Sequence, residues 1–203
     1  MTTTIYLTRH GETQWNIEHR MQGHLDSPLT DKGRRQAQSL GERLSDTHFA
    51  AVYTSSSPRA ATTAELIISG RDIAIHKSDA LREIHMGEWE GRSDVREAFP
   101  EDDVLFWERP HLYVPNNGGE GFQDVLNRAV PFMQTIAARH AGEEILVVSH
   151  TVTLKLLMSH YEARPMEKLW EPPFVHPTSL SKIIVSSSGA RIEYYADMSH
   201  SKE

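Results

Sequence analysis

Cysteine is absent from all 203 positions of the chain. This absence excludes disulfide bonds, thiolate metal sites and every enzyme that uses a cysteine nucleophile, the cysteine-dependent phosphatases included. Positive charge is in deficit, since 21 Lys and Arg residues face 28 Asp and Glu residues and leave a formal net charge of -7. We therefore do not expect a protein that binds nucleic acid by displacing counterions from phosphates.

Long hydrophobic segments are missing as well, and no apolar run is long enough to cross a bilayer. The first residues carry neither the basic leader nor the cleavage site of a signal peptide. Hydrophobic residues still make up 38% of the chain and charged residues 24%, which is typical of a globular protein. Length and composition predict one acidic domain over residues 1–203 that works in the cytoplasm without a membrane partner.

Strand-like and helix-like segments alternate along the chain. Short runs rich in β-branched or apolar residues predict strands at 3–8, 51–54, 73–76 and 145–148. Apolar periodicity and capping residues predict helices at about 30–45, 59–68, 121–139 and 152–161. The segments 181–185 and 191–195 favour a terminal hairpin. This alternation predicts a three-layer α/β/α fold with a mostly parallel central sheet, and the apolar run 145–148 is typical of its centre.

Residues 99–121 interrupt this alternation. Pro100, Pro110 and Pro115 break the helical period, and the run 116–119 consists of two asparagines followed by two glycines. Both features are typical of irregular backbone. The segment therefore predicts a long loop.

Two of the predicted strands end directly in a histidine, His10 and His150. Ligands of open α/β sheets bind at the carboxyl ends of the strands, so both histidines are expected at one edge. A single strand-end histidine is more often an ordinary residue, but two in equivalent positions, one preceded by Arg9, favour a shared site. The guanidinium of Arg9 matches phosphate oxygens bidentately. Arg59 lies at a predicted helix start, where a bound anion would offset an unfavourable placement.

Other catalytic signatures are missing. The chain lacks the Gly-x-x-x-x-Gly-Lys phosphate loop, the Gly-x-Gly-x-x-Gly fingerprint, the Gly-x-Ser-x-Gly elbow and the His-Glu-x-x-His zinc helix. Its 12 histidines are dispersed, and no two share a helix face with a carboxylate at metal-ligand spacing. The sequence therefore predicts a phosphoryl site built on histidine and arginine, with no metal and no cofactor.

Four sequence blocks follow one another between about residues 5 and 160. They read LTRHGET at 7–13, YTSSSPRA at 53–60, LREIHMGEWEG at 81–91 and VVSH at 147–150. A lone Arg-His-Gly is weak evidence, whereas four blocks in order are specific. Together they resemble the signature of the histidine phosphatase superfamily, which implies a phosphoglycerate mutase-like fold. The third block resembles the phosphatase branch, with the bacterial PhoE-type broad-specificity phosphatases as the nearest likeness.

The resemblance implies a role for each matching residue. His10 is the implied nucleophile, which attacks as a neutral imidazole whose other nitrogen is held by a hydrogen bond. Glu83 is the implied general acid and then base, with Glu12 as a minor rival. The implied clamp on the phosphoryl oxygens consists of Arg9, Arg59 and a protonated His150. Further substrate-binding residues are implied at Asn16, Gln22, Gly23 and Thr151.

Thr151 departs from the family pattern, because it stands where most members have glycine. A β-branched residue tolerates a positive φ poorly, which predicts a different local turn. Alternatively, Thr151 supplies one more hydroxyl donor to the phosphate pocket.

The function implied by the resemblance is hydrolysis of small organic phosphomonoesters with broad specificity, through a phosphohistidine, releasing inorganic phosphate. A cofactor-dependent phosphoglycerate mutase and a non-catalytic phosphate-binding domain on the same fold stay open as alternatives. The segment between Glu83 and His150 is short for a mutase, and its covering region at 99–121 is aromatic and sparsely basic. Phe106 and Trp107 in that region are each interpreted first as residues that pin it to the core. A monomer or weak dimer is expected.

Overall fold

The structure, a computed structural model, describes residues 1–201. Within them, six strands form one sheet in the order β3-β2-β4-β1-β5-β6. The strands are β1 (Thr3–Arg9), β2 (Phe49–Ser55), β3 (Ile75–Ser78), β4 (Glu144–Ser149), β5 (Leu180–Ser186) and β6 (Gly189–Asp197). Strands β3, β2, β4 and β1 run parallel, whereas β5 is antiparallel to β1 and β6 is antiparallel to β5. The predicted, mostly parallel sheet is confirmed.

Strand β4 lies in the interior of the sheet, as its apolar sequence predicts. Residues 145–148 are fully buried, and Leu146 pairs with Tyr6 of β1 on one side and Val52 of β2 on the other. The carboxyl ends of β1, β4 and β2 therefore lie side by side at one edge of the sheet. His10 and His150 follow two of these strands.

Helices cover both faces of the sheet. They are α1 (Gln14–Ile17), α2 (Asp31–Arg43), α3 (Pro58–Ile67), α4 (Val95–Ala98), α5 (Pro100–Trp107), α6 (Phe122–Arg139) and α7 (Thr151–Glu162). On one face, Ala64 of α3 shares a buried cluster with Val148. On the other, Met133 of α6 and Leu157 of α7 share a cluster with Val147. This arrangement confirms the three layers, and no helix within residues 1–201 combines the length and apolarity needed to span a membrane.

The segment 99–121 is not the continuous loop that its prolines predicted. Helix α5 begins at Pro100, and a 3-10 turn follows at Pro110–Leu112. Both prolines lie in first turns, where a missing N–H leaves no helical hydrogen bond unmade, so residues that read as helix breakers begin helices here. Phe106 anchors α5, because it is 1% exposed within the same buried cluster as Phe122.

The other predicted elements are present with shifted ends. Strand β3 begins at Ile75 rather than at residue 73, because its pairing with β2 begins where Ile75 meets Val52. Ile73 lies before the strand and packs against the buried cluster that contains Ala64 and Val148. The terminal hairpin is confirmed as β5 and β6. Helices α1 and α4, each of four residues, were not predicted, since one turn carries no measurable period.

Candidate active site

His10 follows β1 directly and is 3% exposed. Its Nδ1 lies 2.8 Å from the carbonyl oxygen of Gly11, so the Nδ1–H donates there and Nε2 keeps its lone pair. The main-chain N–H of Gly11 donates to Thr63 Oγ1 at 3.0 Å, which fixes the turn. A Cβ on Gly11 would lie 2.4 Å from the carbonyl oxygen of Gly33, so only glycine fits. The geometry makes Nε2 of His10 available for attack.

His150 lies beside His10, with the two ring centroids 5.1 Å apart. Burial lowers the pKa of His10 well below its ordinary value, and the charges of Arg59 and Arg9 lower it further. Burial likewise lowers the pKa of His150, followed by the effects of Arg59, His10 and Arg9. Both imidazoles are therefore neutral at pH 7 in the free protein. Desolvation beside two guanidinium groups disfavours a further cation in the free protein, and the protonated His150 expected around a bound phosphoryl group stays a prediction.

A neutral His150 can still donate a hydrogen bond. Its Nε2 lies 2.8 Å from Ser55 Oγ at the end of β2, and when that hydroxyl donates to Nε2 the proton of the ring is on Nδ1. Nδ1 is buried and has no hydrogen-bond partner among residues 1–201. In this tautomer His150 offers the site a hydrogen-bond donor while its imidazole stays neutral.

Arg59 lies in the first turn of α3, after Pro58, and its side chain is fully buried. Nη1 donates to the carbonyl oxygen of Leu25 and to Asp26 Oδ1, both at 2.8 Å, and Nη2 donates to the carbonyl oxygen of Gly23 at 2.9 Å. Burial lowers the pKa of Arg59, and the hydrogen bond and charge of Asp26 oppose that effect. The segment 23–26 therefore fixes the plane of this guanidinium.

Arg9 is the last residue of β1. Its Nη1 donates to the carbonyl oxygen of Val175 at 3.1 Å. Burial lowers the pKa of Arg9 to about 10, so it stays charged at neutral pH. The Nε–H groups of both Arg9 and Arg59 are buried without an acceptor in the described part of the chain. Buried donors of this kind cost free energy until an acceptor reaches them, and a phosphoryl group would supply one.

Glu83 follows a 3-10 turn at Asp79–Leu81 and meets the start of α7. Its Oε1 accepts the main-chain N–H groups of Ile84 at 3.0 Å and Thr153 at 3.1 Å, and its Oε2 accepts that of Val152 at 3.1 Å. These donors hold the carboxyl group in one orientation, at the end of the helix that favours negative charge. Glu83 is 7% exposed.

One cavity of about 270 Å³ brings the predicted residues together. It is lined by Arg9, His10, Asn16, Gln22, Gly23, Arg59, Glu83 and Thr151. His150 is not among these lining residues, and its ring packs against that of His10. Glu12, the rival acid, is outside the lining, where its Oε1 accepts the hydroxyl of Thr30 at 2.8 Å. The arrangement places a free imidazole nitrogen, two guanidinium groups and a carboxyl group around one small space, as transfer of a phosphoryl group requires.

Comparison with known proteins decides the family. A model of the histidine phosphatase superfamily, branch 1, matches residues 5–198. The chain belongs to the histidine phosphatase superfamily. This confirms the resemblance drawn from the four sequence blocks.

Relatives of this superfamily member include enzymes named as phosphatases. Phosphoserine phosphatase 1 of Hydrogenobacter thermophilus is 34% identical over 168 residues, which cover 82% of this chain and 79% of the relative. The adenosylcobalamin/alpha-ribazole phosphatase of Salmonella typhimurium is 36% identical over 172 residues, with 82% and 83% covered. The solved structure of Bacillus stearothermophilus YhfR matches with a TM-score of 0.95 and 48% identity over 98% of each chain. The predicted phosphoglycerate mutase-like fold is confirmed.

The predicted substrate-binding residues of this histidine phosphatase contribute in different ways. Asn16 Oδ1 accepts the N–H of Thr13 at 3.1 Å, which leaves its Nδ2 as a donor at the cavity. Gln22 uses its Nε2 to donate to the hydroxyls of Thr13 and Ser27. The side chain of Gln22 therefore supports the cavity wall, and a direct contact with substrate stays a prediction.

Gly23 and Thr151 lie where the backbone approaches the site. Gly23 has a φ of +53°, and a Cβ there would lie 2.2 Å from Glu90 Oε1. Thr151 is the first residue of α7 and is not among the residues with positive φ, so a β-branched side chain causes no strain. The chain passes directly from His150 into a regular helix, and a turn that differs from that of family members with glycine at this position stays a prediction.

Sequence reasoning missed the residues that hold the catalytic groups. Asp26 orients Arg59, and Ser55 faces His150. Ser55 lies inside one of the quoted blocks and Asp26 lies outside all four, and spacing alone does not show which side chains meet. Five further residues line the cavity, namely Arg20, Met21, Met86, Trp107 and Val152. Trp107 is 39% exposed and faces the cavity, so the expectation that it merely pins α5 to the core is incomplete, whereas Phe106 does so.

Proposed function

We propose that this histidine phosphatase hydrolyses small organic phosphomonoesters with broad specificity, through a phosphohistidine at His10. The supporting observation is that Nε2 of His10 makes no hydrogen bond with residues 1–201, while Nδ1 is held by the carbonyl of Gly11. Near it lie Nε of Arg9, Nε of Arg59 and Nδ1 of His150, none of which has a hydrogen-bond partner in the part of the chain that the structure describes. A nucleophile surrounded by donors suits a group that carries negative charge on several oxygens.

The first half-reaction forms the phosphoenzyme. Nε2 of His10 attacks phosphorus, the ester P–O bond breaks, and the leaving oxygen keeps the electron pair and takes the proton of the Glu83 carboxyl group. Arg9 and Arg59 bring two positive charges to the phosphoryl oxygens as the bond breaks. His150 donates from Nδ1.

The second half-reaction releases phosphate. A water molecule attacks phosphorus, the N–P bond breaks, and Nε2 of His10 regains its lone pair. The Glu83 carboxylate takes a proton from that water and is ready for the next cycle. The position of Glu83, on the cavity wall and fixed by the start of α7, suits both proton transfers.

Rapid quenching tests the nucleophile. After brief reaction with a ³²P-labelled phosphomonoester, acid-labile and alkali-stable label should be found on His10. His10→Asn should lose essentially all turnover and all label, whereas the matched variant His48→Asn, at an exposed position, should keep both. Label on another residue would overturn the assignment.

Dialysis against EDTA tests the absence of a metal. Within residues 1–201, no group of three or more His, Asp or Glu residues is placed to hold a metal ion. Arg9 and Arg59 supply the positive charge that a metal ion provides in other phosphoryl-transfer enzymes. We expect full activity after chelation, and loss of turnover restored by Mg²⁺ or Zn²⁺ would contradict this.

The mutase alternative differs in what accepts the phosphoryl group. A mutase must hold a second anionic acceptor, which calls for further cations. Beyond Arg9 and Arg59, the only basic residue that lines the cavity in the described part of the chain is Arg20, which donates to Glu18 and to the carbonyl of Gly91. This favours water as the acceptor. Turnover of 3-phosphoglycerate with a bisphosphate primer would support a mutase, and phosphate binding without any turnover would support a non-catalytic domain.

We further propose that the chain forms one domain in which residues 99–121 cover the site; of the predicted span 1–203, residues 202–203 lie outside the described residues. Trp107 reaches the cavity, and Trp170 Nε1 donates to the carbonyl oxygen of Phe106 at 2.6 Å. The cytoplasmic location and the monomeric or weakly dimeric state stay predictions.

A further inference from the structure

Arg128 of α6 uses all five of its N–H groups within the protein. Nε and Nη2 donate to the two carboxylate oxygens of Glu120, each at 3.0 Å. Nη1 donates to the carbonyl oxygens of Ala80 and Arg82, both at 2.9 Å, and Nη2 also donates to that of Glu83 at 3.0 Å. A guanidinium has five such donors and no acceptor. None is left for a substrate.

Glu120 makes further hydrogen bonds to the backbone on the C-terminal side of Glu83. Its Oε2 accepts the main-chain N–H of His85 at 2.9 Å, and its own main-chain N–H donates to the carbonyl of His85 at 2.8 Å. Burial works against the charged carboxylate, but the hydrogen bonds from Arg128 and His85 prevail and lower the pKa of Glu120. The Arg128–Glu120 pair therefore binds the backbone before, at and after Glu83.

The carboxyl end of Glu83 is held by different groups. Its two oxygens accept main-chain N–H groups of Ile84, Val152 and Thr153. The backbone of Glu83 is therefore held by α6, and its carboxyl group is held by α7. A shift of the backbone would move the carboxyl group away from the N-terminal amides of α7 and from the cavity.

We propose that Arg128 and Glu120 are positioning residues for proton transfer by Glu83. The inference rests on the proposed function, in which Glu83 protonates the leaving group. Neither residue lines the cavity. Their effect on rate passes through the geometry of Glu83, and misplacement of a catalytic group by about 1 Å can cost on the order of 10²-fold in rate.

A structural role alone predicts a different pattern. If the pair only joins α6 to the segment 80–85, its loss lowers stability and affects every substrate alike. If it positions the acid, the loss depends on how strongly the leaving group needs a proton. An alkoxide needs one, whereas a nitrophenolate leaves readily without one.

The test measures kcat/KM for an alkyl phosphate and for p-nitrophenyl phosphate, because this parameter reports phosphoryl transfer to His10 rather than the later hydrolysis. The variants are Arg128→Lys, which keeps the charge but loses the fork, and Glu120→Gln. We expect losses of about 10- to 100-fold on the alkyl ester and much smaller losses on the nitrophenyl ester. The matched control is Arg139→Lys, exposed on the same helix, with unchanged kinetics on both.

Glu83→Gln separates this inference from the proposed function. In that background, Arg128→Lys should cause no further loss on the alkyl ester, since the acid it positions is gone. Equal losses on both esters in Arg128→Lys and Glu120→Gln, with Glu83→Gln selective for the alkyl ester, would overturn the positioning role alone. Equal losses on both esters in Glu83→Gln itself would overturn the acid assignment and the inference together. Glu120→Gln provides the answer if Arg128→Lys does not fold.

Discussion

Asp26 Oδ1 accepts a hydrogen bond of 2.8 Å from Nη1 of Arg59, whose side chain has no exposure to solvent. Asp26 itself remains 27% exposed. Burying a guanidinium completely costs several kcal/mol unless it is paired and hydrogen-bonded. Asp26 and the carbonyls of Leu25 and Gly23 supply those partners. Asp26 therefore allows Arg59 to stand as a fixed cation beside His10.

Arg59→Lys should lower kcat/KM by about tenfold or more, because lysine keeps the charge but loses the planar fork that meets Asp26 and Gly23 together. Steady-state kinetics on p-nitrophenyl phosphate measure the loss. The matched control, Arg34→Lys at an exposed position of α2, should match the wild type. Wild-type kinetics in Arg59→Lys would show that only charge is needed at this position.

Glu83→Gln should accumulate phosphoenzyme on p-nitrophenyl phosphate. Nitrophenolate leaves without a proton, so His10 is still phosphorylated, but the following hydrolysis lacks its base. Stopped-flow absorbance should show a burst of nitrophenolate, with an amplitude near one per active site, followed by a slow steady state. A linear trace without a burst, at a rate close to that of the wild type, would remove Glu83 as the base.

The positions of the catalytic groups along the strands could be predicted from the sequence. Apolar runs that end in His10 and His150 identify strand ends, and parallel strands place such ends at one edge whatever the loops do. The start of α3, predicted at about residue 59 and observed at Pro58, followed from the same local rules. These features depend only on residues that are close together in the sequence, so local patterns are enough to predict them.

The contacts that orient those groups could not be predicted, because they join distant segments. Arg9 meets the carbonyl of Val175, and Glu83 meets the amide of Thr153, across separations that no local pattern encodes. The neutral state of His150 likewise depends on burial beside Arg59, which only the assembled fold establishes. Helix α5 was missed for a different reason, since Pro100 was interpreted as a helix breaker although it occupies a first turn, as Pro58 does in α3.

Acid should destabilise the protein through its two site histidines. The pKa values of His10 and His150 are lowered by burial in the folded protein, so between pH 6.5 and those lowered values the unfolded chain binds more protons. Their contribution is fully present above pH 6.5 and is lost as the pH falls, by up to ~1.4 kcal/mol per pH unit for each histidine.

Urea unfolding at pH 7.0 and pH 5.5 tests whether the free energy of unfolding falls as the pH is lowered. His10→Gln should reduce the loss of unfolding free energy between the two values, because the neutral amide does not titrate. His48→Gln, at an exposed position, should reproduce the loss in the wild type. An equal loss in His10→Gln and the wild type would contradict the lowered pKa of His10.

We expect Thr151 to contribute to phosphate binding through its hydroxyl group rather than through its backbone conformation. Thr151→Val keeps the branched outline and removes the hydroxyl, so inorganic phosphate should bind about two- to tenfold more weakly, as expected for one lost hydrogen bond. Thr151→Ser should bind as the wild type does. Isothermal titration measures both affinities. Unchanged affinity in Thr151→Val would remove Thr151 from the substrate-binding residues.

Main-chain atoms supply most partners of the catalytic groups. His10 donates to the carbonyl of Gly11, Arg9 to that of Val175 and Arg59 to those of Gly23 and Leu25, while Glu83 accepts amides of α7. A carbonyl or an amide survives almost any substitution of the side chain attached to it. Substitutions at Leu25, whose side chain is exposed, can therefore accumulate without disturbing the catalytic groups. The chain is free to diversify around a constant reaction centre, and new substrate preferences can evolve by point mutation while the chemistry is retained.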